Sequence, residues 1–299
     1  MKSILALAVV AALSGCSIRQ YALDHVSDAL AGGGSAFAAD DDPELVRAAA
    51  PFSLKLTESL LAENPRHGGL LLAAARGFTQ YAYAFVQQDA EELEEHDLAK
   101  ATVLQERASR LYRRARDYGL RAMALQRSNI ALELQQDPRR AAGQFGRADA
   151  ALLYWTAAAW GGLIGLGKDK PELLAELPVM EALIDRALEL DEPFERGAIH
   201  TFLIGYESAR QSGRGDPASR ARAHFARALE LSAGAEAAPF VALAESVSVP
   251  EQRRDEFEQL LKQALVVDVE RHPENRLPNL VSQRRARWLL SRTGRLFTE

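Results

Sequence analysis

The sequence predicts an all-α fold, on three observations. First, residues 150–167 form an uncharged run between Asp149 and Lys168, half of it Ala and Gly. A helix apolar on every face is either the buried centre of a helical protein or a membrane span. A span needs about 20 predominantly apolar residues, and Ala, Gly and the hydroxyl of Thr156 gain little in lipid. The run therefore reads as a central buried helix. Its small residues admit close neighbours, and Tyr154, Trp155 and Trp160 supply surface to pack. Second, the flanking segments repeat their apolar residues at three and four positions, the helical period. Third, no segment alternates with period two for long enough to make a strand.

The chain has 299 residues, 47 % of them hydrophobic, and a formal net charge of −5. Mild acidity excludes general nucleic-acid binding unless one face is locally basic. A single cysteine excludes an intramolecular disulfide and a cysteine zinc cluster. That residue, Cys16, follows a basic start (Met1-Lys2), an apolar stretch (4–13) and Leu13-Ser14-Gly15. This is the layout of a signal peptide, and its end resembles the lipobox of bacterial lipoproteins. The resemblance implies cleavage before Cys16 and attachment of palmitate-type acyl chains, which together anchor stably. Cleavage removes Lys2 and leaves a net charge of −6. Ser17 in place of Asp favours the outer membrane. The expected organisation is a signal peptide over 1–15, a lipidated tether over 16–35 and one helical domain over 36–299.

Taken in order, Ile18, Tyr21, Ala22, His25, Val26, Ala29 and Leu30 predict a short amphipathic helix that ends at Gly32-Gly33-Gly34-Ser35. Asp42-Pro43-Glu44 then starts a helix, with a capping aspartate, proline at the first position and acids at the positive end of the dipole. It stops at Asn64-Pro65. A second helix covers about 68–88 with the stripe Leu70, Ala73, Ala74, Gly77, Phe78, Tyr81 and Phe85. Acidic residues 89–97 lack the alternating ligands and turn glycine of a calcium loop. They read as a solvated connection and the start of the next helix. Helices at about 98–119 and 120–134 follow, and Asp137-Pro138 restarts the chain toward the central helix. Beyond Lys168-Asp169-Lys170-Pro171, helices are expected at 178–190, 193–211, 217–231, 239–246, 250–267 and 276–292. The strings at 187–191, 228–232 and 264–268 recur at about the tetratricopeptide period. Degenerate helix-pair repeats, stacked so that neighbours bury a continuous core, are the reading.

Catalytic patterns fail individually. Gly162 to Lys168 has phosphate-loop spacing, but Asp169 stands where Ser or Thr should hold magnesium, and a helix precedes it instead of a strand. The six histidines form no helical zinc pair. No cofactor is implied. Basic and aromatic residues cluster at 110–121 and 284–288, which fits a helix face paired with acids or a ligand or partner surface. Tyr81, Tyr112, Tyr118, Tyr154, Trp155 and Trp160 are candidates for an aromatic cleft wall, with core packing as the other role open to each. Arg114, Arg121 and Arg284 are candidates to meet a carboxylate.

The strings Asp41-Asp42-Pro43-Glu44-Leu45-Val46, Gly77-Phe78-Thr79-Gln80-Tyr81, Tyr154-Trp155-Thr156-Ala157-Ala158-Ala159-Trp160-Gly161 and Gln283-Arg284-Arg285-Ala286-Arg287-Trp288-Leu289-Leu290 resemble the T-component lipoproteins of TRAP transporters. The resemblance implies tetratricopeptide-like helix pairs, a lipid anchor facing the periplasm and a homotrimer. It implies association with the solute-binding subunit of a TRAP transporter, and a cleft or pore for a small hydrophobic or organic-acid ligand. It supplies no catalytic residue, so a binding protein rather than an enzyme is expected. The alternative is a tetratricopeptide-like lipoprotein that scaffolds envelope assembly.

Overall fold

The computed structural model describes Asp28, Gly32, residues 34–210 and residues 213–298, and every regular element among them is helical. Cys16, the signal peptide and most of the expected tether lie outside the described residues. The ten principal helices are α1 (Pro43–Glu63), α2 (Gly68–Tyr81), α3 (Leu98–Gln126), α4 (Ala150–Gly165), α5 (Leu177–Leu190), α6 (Ala198–Tyr206), α7 (Pro217–Ser232), α8 (Ala238–Leu243), α9 (Arg254–Leu265) and α10 (Arg276–Ser291). A short helix, Gly34–Ala38, precedes α1 and takes in the end of the glycine–serine run.

Capping residues start the helices where the sequence places them. The Asp42 carboxylate accepts from the amides of Glu44 and Leu45, each at 3.0 Å. Asp97, Asp137 and Asp216 do the same for Lys100, Arg140 and Ser219. Each satisfies amides that the first helical turn leaves without an intrahelical partner.

Central helix α4 is buried along most of its length and packs against α2, α3 and α5. Its small residues admit close crossings. A Cβ at Gly162 would sit 2.6 Å from the Tyr112 ring, and one at Gly119 of α3 would sit 2.2 Å from Thr156 Oγ1. The Thr156 hydroxyl donates to the Leu152 carbonyl at 2.6 Å, so its burial leaves no polar atom unpaired.

Two cores result. The larger surrounds α4, and the smaller is built by α7 to α10. Helix α6 is their shared wall: Ile199 and Leu203 face the first core, and Ile204 faces the second.

The structure corrects three expectations. Residues 98–119 and 120–134 are not two helices meeting at Gly119, because α3 runs unbroken to Gln126. The glycine is retained where Thr156 crosses, and packing overrides its low helix propensity. Two predicted helices change pitch. The chain continues α2 as a π-helical turn, Ala82–Gln87, and then as a short helix, Gln88–Leu93. Helix α8 likewise runs into a π-turn, Ala244–Ser248. Only the first part of the acidic stretch departs from a solvated connection and helix start: it is that short helix, paired with arginines of α10, while residues 94–97 are an exposed turn ending in the Asp97 cap of α3.

Candidate functional site

The sequence-predicted cleft residues do not form one site. Tyr118, Arg114 and Arg121 lie together on the outer face of α3, in a groove of about 320 Å³ with Arg110, Arg113 and Asp117. Tyr118 stacks on Phe78 at 5.9 Å and donates to Glu58 at 2.8 Å. Arg114 lies over Phe78, and Arg121 over Tyr118. Trp160 donates to Glu176 at 2.5 Å under the Arg116 guanidinium. Tyr81 is buried beside Phe85 and accepts from Arg107 at 3.3 Å. Arg284 is engaged by Asp89 at 2.7 Å and Glu92 at 2.8 Å.

A second set of residues, one helical step away from several of these, gathers where the two cores meet. Arg285 of α10 reaches Glu91 of the short acidic helix at 2.5 Å and Glu245 of the second π-turn at 2.5 Å. Its guanidinium lies over the Trp288 ring at 4.3 Å. From Glu91 the network runs inward: Gln87 Nε2 donates to Glu91 at 2.9 Å, and the buried Tyr112 hydroxyl donates to Gln87 at 2.7 Å. Outside it, Asp89 bridges Arg284 to Arg47 of α1, and Glu95 pairs with Arg292 and Arg295. The acidic helix and the basic face of α10 thus form an ionic seam that joins the beginning of the fold to its end.

Tyr83, on the first π-turn, opens into this seam. Its hydroxyl is the common neighbour of Gln88, Glu91, Glu245 and Arg285. The residue keeps 45 % of its surface accessible. Yet burial, seconded by the Glu245 charge, pushes its hydroxyl up to about 12. Gln88 beside it is 1 % exposed and stands within reach of the Tyr83 hydroxyl. Glu245 is pushed upward by burial, against the pull of Arg285.

A further polar group lies one helical repeat earlier on α2. Arg76 lies over Trp155 at 5.4 Å and pairs with Glu195 at 3.5 Å. Tyr154 packs between Trp155 and Phe194. Across from them, Arg196 reaches Glu236 at 3.5 Å, and Asn275 donates to Glu236 at 2.6 Å. Glu195, Arg196 and Gly197 all have positive φ, a costly conformation for the two non-glycine residues. Arg76 and Tyr83 are seven residues apart on α2 and its continuation, about 10 Å along the axis. The residues before and after α8, Glu236 and Glu245, serve these same two groups from the other core. The two polar groups therefore lie about two helical turns apart along α2, one around Trp155 and Glu195 and the other around Arg285 and Glu245.

Sequence reasoning reached Tyr154, Trp155 and Tyr112 of this neighbourhood. It missed Tyr83, Gln88, Glu91, Glu245 and Arg76, and took Arg285 only as one of the basic cluster at 284–288. Each π-turn inserts an extra residue into the helical count, so a 3.6-residue stripe points to the wrong neighbour beyond it. The signal that was present is Gln88, a polar residue at a position the apolar stripe of α2 would bury.

Comparison with known proteins finds relatives along nearly the whole chain. A relative from Treponema pallidum (strain Nichols), an uncharacterized protein, is 28 % identical over 307 residues, covering 96 % of this chain and 94 % of its own. The family model for the TRAP transporter T-component matches residues 39–297, from the cap of α1 to the end of the second core. Both cores and the seam that closes them fall inside the match, and the chain belongs to the TRAP transporter T-component family.

Proposed function

We propose that this T component is anchored through acylated Cys16, faces the periplasm from the outer membrane, and assembles as a homotrimer with the solute-binding subunit of its transporter. In this reading it holds a small organic ligand in the cleft between its cores while the ligand passes to or from that subunit. The helix pairs α6–α7 and α8–α9 are read as degenerate tetratricopeptide-like repeats. The observation that carries the proposal is the family match over residues 39–297, and the ligand is read at the junction of the cores, where Glu91 beside the first π-turn and Glu245 of the second converge on Arg285 of α10. π-Turns disrupt regular helix bonding and recur at functional sites. Binding, not bond breaking, is the role that suits residues locked in ion pairs.

Affinity purification of the full lipoprotein from solubilised membranes tests this directly. A solute-binding subunit should be retained, and light scattering should give three copies per particle. Cys16→Ala should move the protein out of the membrane fraction. A monomer that retains no solute-binding subunit would overturn the assembly reading.

A further inference from the structure

The groove on the outer face of α3 is strongly basic. Arg110, Arg113, Arg114, Asp117, Tyr118 and Arg121 line it, four arginines against one aspartate, a net charge of +3. Their spacing along the helix puts them on one face. Other arginines of α3 turn to the fold and are satisfied there: Arg107 donates to Tyr81, and Arg116 pairs with Glu176 at 3.2 Å beside Trp160. The groove arginines are poorly matched by acids. Asp117 is taken by Arg116, and Arg110 has only the exposed Glu106 at 3.8 Å. Arg113 has no ion pair or hydrogen bond among the described residues. Arg114 lies 5.2 Å over Phe78, and Arg121 lies 5.1 Å over Tyr118. A guanidinium held flat on a ring keeps its N–H edge outward, and that fork fits an anionic oxygen pair. From Arg110 to Arg121 the row runs about 16 Å along the helix axis. One small anion cannot meet a row of that length, but a surface of anions side by side can.

The tether shows where such a surface lies. Arg121 donates to the Pro65 carbonyl at 3.4 Å, and two residues further on His67 Nε2 faces the Asp28 carboxylate at 3.2 Å. The chain between anchor and body therefore touches the body at the Arg121 end of the groove. Twelve residues separate Asp28 from Cys16, a reach of at most about 40 Å. We propose that this groove faces the bilayer that holds acylated Cys16 and binds the phosphodiester headgroups of its anionic phospholipids. Arg110, Arg113, Arg114 and Arg121 are the phosphate donors, and the amphipathic ring of Tyr118 sits at headgroup level. The chain as a whole is acidic, so an anionic bilayer attracts this face and repels the rest, which orients the body on its anchor. The assignment rests on the reading of Cys16 as the lipid anchor.

The test uses the full lipoprotein reconstituted in vesicles of phosphatidylcholine alone and of phosphatidylcholine with phosphatidylglycerol. Phenylglyoxal labels the arginines, and mass spectrometry reads each one. Arg110, Arg113, Arg114 and Arg121 should react about fivefold more slowly on the anionic vesicles, and high salt should remove the difference. Arg253 and Arg254, exposed on the second core, should react alike on both. Arg110→Gln with Arg113→Gln removes two exposed guanidinia, so the unfolding temperature should hold while Arg114 and Arg121 lose most of their protection. Equal labelling on the two vesicles overturns the proposal. Equal protection by soluble glycerol phosphate in detergent would assign the groove to a free phosphate ester and overturn the membrane surface. Protection that appears only when the solute-binding subunit is added would make it a protein contact, with the same result. The intact mass reports acylation separately. An unacylated chain overturns the anchor and this assignment with it, whereas an acylated chain with unprotected arginines overturns this assignment alone.

Discussion

His200 and His224 show how single groups set this protein's response to pH. Their Nδ1 atoms are 2.8 Å apart, and their Nε2 atoms face Glu192 at 3.3 Å and Glu207 at 3.7 Å. Two protonated rings would aim one N–H at another, so the pair cannot hold both charges in this geometry. Burial lowers both histidines from the ordinary value of 6.5. A group whose folded value is depressed binds more protons when unfolded, so stability rises with pH there. The contribution is complete above about pH 6.5 and declines as pH falls below it. Glu236 acts in the opposite sense: burial pushes it up to about 7. Folding favours its protonated form, and stability falls as pH rises from about 4.5 toward 7. His224→Gln should therefore flatten the acid-side loss relative to the parent protein. Urea unfolding of both between pH 5 and 8 isolates the histidine part in the difference. None of this was legible in the sequence, where the two histidines are separated by 24 positions and by a break between helices.

At the scale of elements, the tightest contact is the crossing of α3 and α4. Gly162 lies under the Tyr112 ring, which is held from its other end by Gln87. Gly162→Ala should cost about 1–3 kcal/mol, because the ring cannot yield without breaking its hydrogen bond. Chemical denaturation gives the number. A neutral result would mean the helices can separate at no cost. The second junction is the ionic seam. Asp89→Asn removes the carboxylate that joins Arg47 to Arg284. Both partners are partly accessible, so the cost should be modest, about 1–2 kcal/mol. It should be accompanied by faster amide exchange in Gln88–Leu93 and α10 than in α4. Helix boundaries were legible because Asp-Pro and Asn-Pro cap and stop helices by local rules. The partners of the acidic stretch were not, since its arginines lie some 190 residues away.

For the molecule as a whole, α1 is apolar on two faces. Val46, Leu54 and Leu61 enter the first core, while Leu45, Phe52 and Leu56 line the opposite face, with Phe52 74 % exposed. An exposed apolar stripe of this kind is a candidate interaction surface, and the proposed trimer gives it a test. Phe52→Glu should lower the particle mass to that of one chain and leave the unfolding midpoint of the monomer nearly unchanged. An unchanged mass would place the interface elsewhere.

The sequence by itself determined that this protein is all-α, where most of its helices begin and end, and that residues 150–167 are buried at its centre. It also carried enough of the family's strings to point to a TRAP transporter T-component. These properties follow from local rules: the 3.6-residue period and the chemistry of caps, including proline at the first helical position. Only the tertiary structure decided which polar residues face one another. Two π-turns shift the helical count, and the chain's end folds back on its acidic segment. Arg285 therefore joins Glu91 to Glu245 at the junction of the cores, whereas its neighbour Arg284 pairs with Asp89 and Glu92. That choice depends on packing between helices far apart in the chain, and no local rule contains it.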